Sequence, residues 1–130
     1  MSETTAPSPA TSTAAGTFVW NELNTNDLPA AGKFYTDLFG WGMDHYSGGG
    51  MTSAMFKVGG KHVGGMVDNP DPNGAPFWLC YVNVNDLAAM CARVLELGGK
   101  IVIPPTKVPN VGSIAVLQDK QGAYLGMFQA

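Results

Sequence analysis

The sequence predicts an α+β fold built from two copies of one β-α-β-β-β module, and three observations carry that prediction. Moving down the chain by 59 positions sets Asn24-Thr25-Asn26-Asp27-Leu28 on Asn83-Val84-Asn85-Asp86-Leu87, and also Ala30 on Ala89, Leu38 on Leu97 and Gly40 on Gly99. Each copy reads as a strand, a capped helix and a glycine stop. Charged residues make up 13% of the 130 residues against 17 glycines, which describes a turn-rich β chain better than a helical bundle. Two copies at so long a period make a duplicated module and not a solenoid, whose repeats are shorter and more numerous.

The elements follow in order. Apart from Met1 and Glu3, residues 1–16 are Ser, Thr, Ala, Pro and Gly, with too little apolar surface to offset the entropy of ordering, so a disordered tail is expected. Thr17 to Asn24 mixes large apolar and polar residues as a half-buried strand does. Asn26 or Asp27 can cap the next helix, Pro29 falls in its first turn where a missing N–H costs nothing, and Gly40 is placed to end it. Strands are expected at Trp41–Tyr46, Met51–Val58 and Lys61–Val67, separated by the turns Ser47-Gly48-Gly49-Gly50 and Gly59-Gly60. Asn69 to Gly74 is a polar linker. The second module gives a strand at Phe77–Val84, a helix at Leu87–Leu97, and strands at Lys100–Ile103, Ser113–Gln118 and Ala123–Gln129. Pro104, Pro105 and Pro109 keep their segment out of any central strand. The domain is therefore expected over 17–130, with module one at 17–68, a linker at 69–75 and module two at 76–130.

Composition excludes several classes. A net charge of −3 with seven scattered Lys and Arg argues against nucleic acid, and no apolar run approaches the roughly 20 residues of a membrane helix. Cys80 and Cys91 lack CxxC partners, and with only two histidines a structural zinc site is not expected. They read as reduced thiols buried as small hydrophobes. No Lys or Arg precedes Lys33 and no apolar core follows Met1, so no signal peptide is read and a cytoplasmic protein is the default expectation.

The words Trp20-x-Glu22-Leu23-x-Thr25-x-Asp27, Phe34-Tyr35, Leu38-Phe39-Gly40-Trp41, Gly64-Gly65-Met66, Gly98-Gly99, Pro104-Pro105 and Asp119-x-x-Gly122-Ala123 span 17–129. With the duplication they resemble the vicinal-oxygen-chelate superfamily, which holds glyoxalase I, extradiol dioxygenases and the bleomycin- and fosfomycin-resistance proteins. Lys120 stands where the similar small glyoxalase-like proteins have proline. The resemblance implies that each module curls into a half-barrel and that two halves enclose a cavity. It implies four metal-ligand positions, on the first and last strand of each module, which fall at or near Trp20, Gly65, Leu79 and Gly126. None of these side chains ligates a divalent ion, and a slip of one residue brings in only Asn21 and Cys80. No metal and no cofactor are therefore expected.

Alternation along the first strand of each module sets Trp20, Glu22 and Asn24 on one face, and Leu79, Tyr81 and Asn83 on the corresponding one. Val19, Leu23, Cys80, Val82 and Val84 suit the helix layer. Trp20, Glu22, Asn24, Tyr81, Asn83 and Tyr124 are accordingly the candidate ligand-binding residues. Glu22 is the candidate general base, since a carboxylate desolvated beside Trp20 would have a raised pKa; its plainer use is to be hydrogen-bonded and to position the strand. Tyr81 or His62 is the candidate acid. For both His62 and His45 the favoured reading is an ordinary rim or surface histidine. Trp41 and Trp78 are expected between helix and sheet, and Met51, Met55, Met66 and Met127 as adaptable walls or core. The Gly-rich stretches have neither P-loop nor dinucleotide spacing.

Two functions follow as expectations. The first is metal-independent binding of a small organic molecule, as in the drug-sequestering resistance proteins. The alternative is a lyase, isomerase or cyclase acting on a carbonyl or aromatic substrate with Glu22 as base. A metal-dependent glyoxalase-like enzyme ranks below both for want of ligands. A homodimer is expected, because pairing covers exposed sheet edges.

Overall fold

The computed structural model describes residues 14–48 and 51–130; residues 1–13 of the expected tail and Gly49-Gly50 of the expected turn lie outside them. Contacts divide the chain into two units, Trp20–Leu79 and Cys80–Ala130, the second including the segment before Trp20.

The first module runs β1 (Phe18–Thr25), α1 (Leu28–Phe39), β2 (Gly42–Gly48), β3 (Met51–Val58) and β4 (Lys61–Asp68). The second runs β5 (Phe77–Asn83), α2 (Leu87–Glu96), β6 (Lys100–Val108), β7 (Gly112–Gln118) and β8 (Tyr124–Gln129). In the first the strand order is β2-β3-β4-β1, with β1 parallel to β4 and the other pairs antiparallel. The second repeats this as β6-β7-β8-β5, with β5 parallel to β8. The α+β fold of duplicated βαβββ modules is thus the one the sequence predicts.

The helix caps explain why the two starts match. Asp27 is extended (φ −151°, ψ 90°) and its Oδ1 accepts from Ala30 N–H at 3.0 Å. Asp86 does the same for Ala89, also at 3.0 Å, from φ −138° and ψ 96°. Each carboxylate satisfies one of the amides a helix N-terminus leaves open. Gln129 Oε1 adds a second acceptor at α2, taking Leu87 N–H at 2.7 Å. The stops differ. Gly40 ends α1 in the left-handed region (φ 71°), its N–H donating to Thr36 O. In the second module the left-handed residue is Gly98 (φ 90°) and not the aligned Gly99, because α2 ends earlier, at Glu96.

One strand is longer than expected. β6 continues from Lys100 through Pro104 and Pro105 to Val108, where the sequence suggests an end at Ile103. It is an outer strand, and its pairing with β7 shifts register between Ile101 and Ile103 and again between Ile103 and Thr106. Prolines cost little there, since edge and bulge positions do not use every ladder N–H. Ahead of β1, Thr17 N–H bonds to Ala14 O, Gly16 N–H to Asn83 O and Asn83 N–H to Thr17 O.

Each module has its own core between helix and sheet. Leu23, Leu28, Ala54, Phe56 and Met66 form the first, flanked by Ala31, Tyr35, Trp41 and Met43. Phe56 and Met66 are fully buried, each contributing about 2–3 kcal/mol by area. Val84, Leu87, Cys91, Ala115 and Met127 form the second. Trp41 packs as expected, its ring 4.8 Å from that of Phe56. Trp78 does not: it is 41% exposed, with its indole N–H donating to Tyr35 Oη at 3.2 Å.

Candidate functional site on the helix-free faces

Pleating decides which side chains share a face. In the first module Leu23, Met43, Ala54, Phe56 and Met66 point into the helix core, so their strand neighbours Glu22, Asp44, Met55, Lys57 and Gly65 stand on the opposite, helix-free face. The cross-strand pairs Glu22–Gly65, Gly65–Met55 and Met55–Asp44 put four of them in one row across β1, β4, β3 and β2. The phase assigned to β1 from sequence therefore holds, with Leu23 inward and Trp20, Glu22 and Asn24 on the other side.

Gly65 shapes the middle of this face. A Cβ there would lie 3.2 Å from Trp20 Nε1 and 3.3 Å from Glu22 Oε2. The indole and the carboxylate thus converge over a position without a side chain and take up the space a Cβ would enter. Asn24 is buried at 4% exposure, its Nδ2 directed at Glu22 O at 3.4 Å.

A second polar group stands on the same face. Asp44 Oδ1 takes Lys57 Nζ at 2.8 Å and Asp44 Oδ2 takes His62 Nε2 at 2.9 Å. Hydrogen bonds from Lys57 first and from His62 second hold the Asp44 carboxyl below the usual carboxylate range. The ring of Tyr46 meets that of His62 edge-on at 6.3 Å. His62 reaches this face through an irregularity: pairing moves from Phe56–Gly64 directly to Lys57–His62, so Val63 is passed over. Sequence reading named His62 but missed Asp44 and Lys57. Their alternation with Met43 and Phe56 was available as a signal; the register that joins them to His62 was not. His45 is exposed on β2.

The second module holds the remaining candidates. Tyr81 pairs with Gly126 and lies over it: an added Cβ at Gly126 would overlap the carbons of the tyrosine ring. Tyr81 is buried at 6% exposure and Asn83 at 8%, while Tyr124 is half exposed at the start of β8. The turn after β7 is closed by Asp119, whose Oδ1 accepts from Gln121 and Ala123 N–H at 2.9 Å each. Those backbone hydrogen bonds, that of Ala123 foremost, lower its pKa. Lys120, the departure from proline, leaves this turn intact. Cys91 is buried and desolvation raises its pKa, whereas Cys80 is part-exposed, less buried than expected.

The four positions where the resemblance implies metal ligands do not fit a divalent cation. Gly65 and Gly126 bring no donor, Leu79 brings a hydrocarbon and Trp20 an N–H. Among the described residues no three His, Cys, Asp or Glu side chains come together. Nor is any helix among them long and apolar enough to cross a membrane.

The family model for the Glyoxalase/Bleomycin resistance protein/Dioxygenase superfamily matches residues 17–126. The chain is 37% identical over 120 residues to "Putative glyoxylase CFP32" of Mycobacterium bovis, covering 88% of this chain and 46% of that protein. It is 32% identical over 133 residues to "Anthracycline biosynthesis protein DnrV" of Streptomyces peucetius, covering 89% and 48%. The chain thus spans about half the length of these curated relatives. Among solved structures, methylmalonyl-CoA epimerase from Mycobacterium tuberculosis superposes with a TM-score of 0.63 at 20% identity, over 92% of this chain and 91% of that one. The Mn(II)-bound glyoxalase from Novosphingobium aromaticivorans gives 0.59 at 17% identity, over 88% and 39%.

Proposed function

Because the chain belongs to the Glyoxalase/Bleomycin resistance protein/Dioxygenase superfamily, we propose that it binds a small organic molecule on the helix-free face of its first module, without a metal at the four positions where the resemblance implies ligands. The observation that carries this reading is the convergence of Trp20 and Glu22 over Gly65. A flat ring can stack against the indole, and the carboxylate beside it can take a hydrogen bond from that ring's substituent. The relatives' names are compatible with a small organic ligand: one is a glyoxylase by name, the other an anthracycline biosynthesis protein. Pairing of two chains would supply as many modules as the length of those relatives allows.

A second reading is favoured by one further observation, the Asp44–His62 pair on the face that also bears Glu22. A carboxylate base and an imidazole acid on one face are the equipment of a lyase or isomerase that moves a proton next to a carbonyl. In that reading Glu22 removes the proton and His62, not the buried Tyr81, serves the oxygen.

The test is a thermal-shift screen of carbonyl and aromatic compounds on the wild type and Glu22→Gln. A compound that stabilises both proteins supports binding, and conversion by the wild type alone establishes the enzyme. A screen with no stabilising compound, or stoichiometric zinc, nickel, iron or manganese in the purified protein, overturns the proposal.

A further inference from the structure

We infer that the aromatic surface of α1 is the face by which two copies of this chain pair, the two helices lying antiparallel about a twofold axis with Phe34 of each against Leu38 of the other. This goes beyond the binding reading and does not rest on it, since α1 and the helix-free face lie on opposite sides of the first module's sheet. It also puts the contact on a helix, whereas the expectation of a homodimer from sequence rested on sheet edges.

Phe34 is 60% exposed and Leu38 58%, one helical turn apart, with Phe39 and Trp78 also open to solvent. Together they show on the order of 400 Å² of apolar surface, the size at which a patch on a monomer has a use. These side chains are not loose. The Tyr35 ring meets those of Phe34 at 5.1 Å, Trp78 at 5.4 Å and Phe39 at 6.4 Å, and its hydroxyl takes the Trp78 indole N–H. An aromatic face already held in place loses little side-chain entropy on association. Beside it runs a groove of about 310 Å³, walled in part by Ala31, Phe34, Phe77 and Trp78, with room for Leu38 of a second chain. The second module does without such a surface. Fifty-nine positions on, Arg93 stands for Phe34, Gly98 for Phe39 and Lys100 for Trp41. Met90, Leu95 and Leu97 are exposed there, but they are aliphatic and interrupted by the Arg93–Glu96 ion pair at 3.0 Å. The aromatics of α1 are therefore not a requirement of the fold.

Charge decides what this face meets. Lys33 and Asp37 lie one turn apart along the outer border of the Phe34–Leu38 strip and pair with each other at 2.7 Å, both well exposed. A twofold axis level with residues 35 and 36 sets two such helices antiparallel. It brings Lys33 of each opposite Asp37 of the other, and Phe34 opposite Leu38. The border is thus self-complementary, and no charge on it lacks its opposite. Helices packed side by side at about 8–10 Å put these pairs in reach. A stable pair covers about 800 Å² on each partner; the strip supplies the apolar centre, with Lys33 and Asp37 in the polar rim. The chain is also about half the length of the curated relatives it matches, so a pair has the size of one of them.

The test is sedimentation equilibrium of the full chain. The wild type is expected to be a dimer that dissociates on dilution. Phe34→Ser and Leu38→Ser should each weaken pairing about tenfold or more. Arg93→Ser, at the equivalent place on α2, should change it by less than about twofold. Because Phe34 and Leu38 are exposed, the urea midpoints of the diluted monomers should match the wild type, which separates lost pairing from lost folding. Lys33→Glu and Asp37→Lys should each weaken pairing about threefold or more, by setting like charges opposite one another. An equimolar mixture of those two variants should pair more tightly than either alone, since each supplies the charge the other lacks. A wild type that stays monomeric at every concentration overturns the inference. Pairing indifferent to Phe34→Ser and Leu38→Ser overturns it too, and moves the contact to another surface. So does a mixture no tighter than its components, because the helices would then not meet antiparallel. The binding proposal stands apart from all three outcomes and is decided by the thermal-shift screen.

Discussion

The two modules share a scaffold and differ in what they do with it. Both run one strand, one aspartate-capped helix and three further strands, and both pair the first strand in parallel with the last. In both, a side chain on the first strand stands opposite a glycine on the last. In the first module that side chain is Glu22, beside Trp20, with Asp44, Lys57 and His62 on the same face. In the second it is Tyr81, whose ring occupies the space over Gly126 and is buried there. The space over the glycine is thus taken by Trp20 and Glu22 in one copy and, more tightly, by the Tyr81 ring in the other. Duplication kept what folds the module, and the copies diverged where a ligand would lie.

The largest effects expected concern what the copies share. Phe56→Ala should destabilise by about 4 kcal/mol and Met127→Ala by about 3 kcal/mol, each emptying one module's core. If urea unfolding shows one mutation without effect, that module's core is not the one described. Gly126→Ala should cost about 1–3 kcal/mol, since its methyl would displace the Tyr81 ring. Gly65→Ala should cost less, under about 1 kcal/mol, because the side chains it meets at 3.2 and 3.3 Å can give way. Equal losses at the two glycines would erase this difference in tightness. Asp27→Ala should cost about 1 kcal/mol in the same assay and Asp86→Ala somewhat less, because Gln129 still takes an amide of α2.

Two smaller effects separate the modules electrostatically and chemically. Asp44 and Asp119 are both more acidic than an ordinary aspartate, the first through Lys57 and His62, the second through backbone N–H groups. Each therefore adds stability that is present above about pH 4, the unfolded value, and lost as pH falls through the lower folded one. Raising the salt concentration should shrink the difference between wild type and Asp44→Asn far more than that for Asp119→Asn, as read from urea midpoints between pH 2 and 7. In the native protein Cys80 should react with a thiol reagent well before Cys91, whose burial disfavours the thiolate. Simultaneous labelling would mean that the second core opens readily.

Much of this was legible in the sequence because it is local. The Asn-x-Asn-Asp-Leu words mark both caps, and the period-two alternation of β1 places Trp20 and Glu22 on the face they occupy. What escaped depends on register. Asp44 and Lys57 lie 13 residues apart and meet His62 only through the β2–β3 pairing and the irregularity after Phe56, which no spacing in the sequence reveals. Trp78 escaped because its exposure, with only its indole N–H and ring edge against Tyr35, is a matter of tertiary packing that alternation does not report. The extension of β6 through two prolines depended on its being an outer strand, a fact of topology.

The central claim, that the first module's helix-free face is the functional one, is tested most directly by mapping amide and indole N–H shifts of the labelled protein as the best compound of the screen is added. The account predicts shifts concentrated at Trp20, Glu22, Gly65 and His62, with Tyr81 and Gly126 little moved. Shifts concentrated at Tyr81, Gly126 and Tyr124, with the Trp20 indole unmoved, would contradict it.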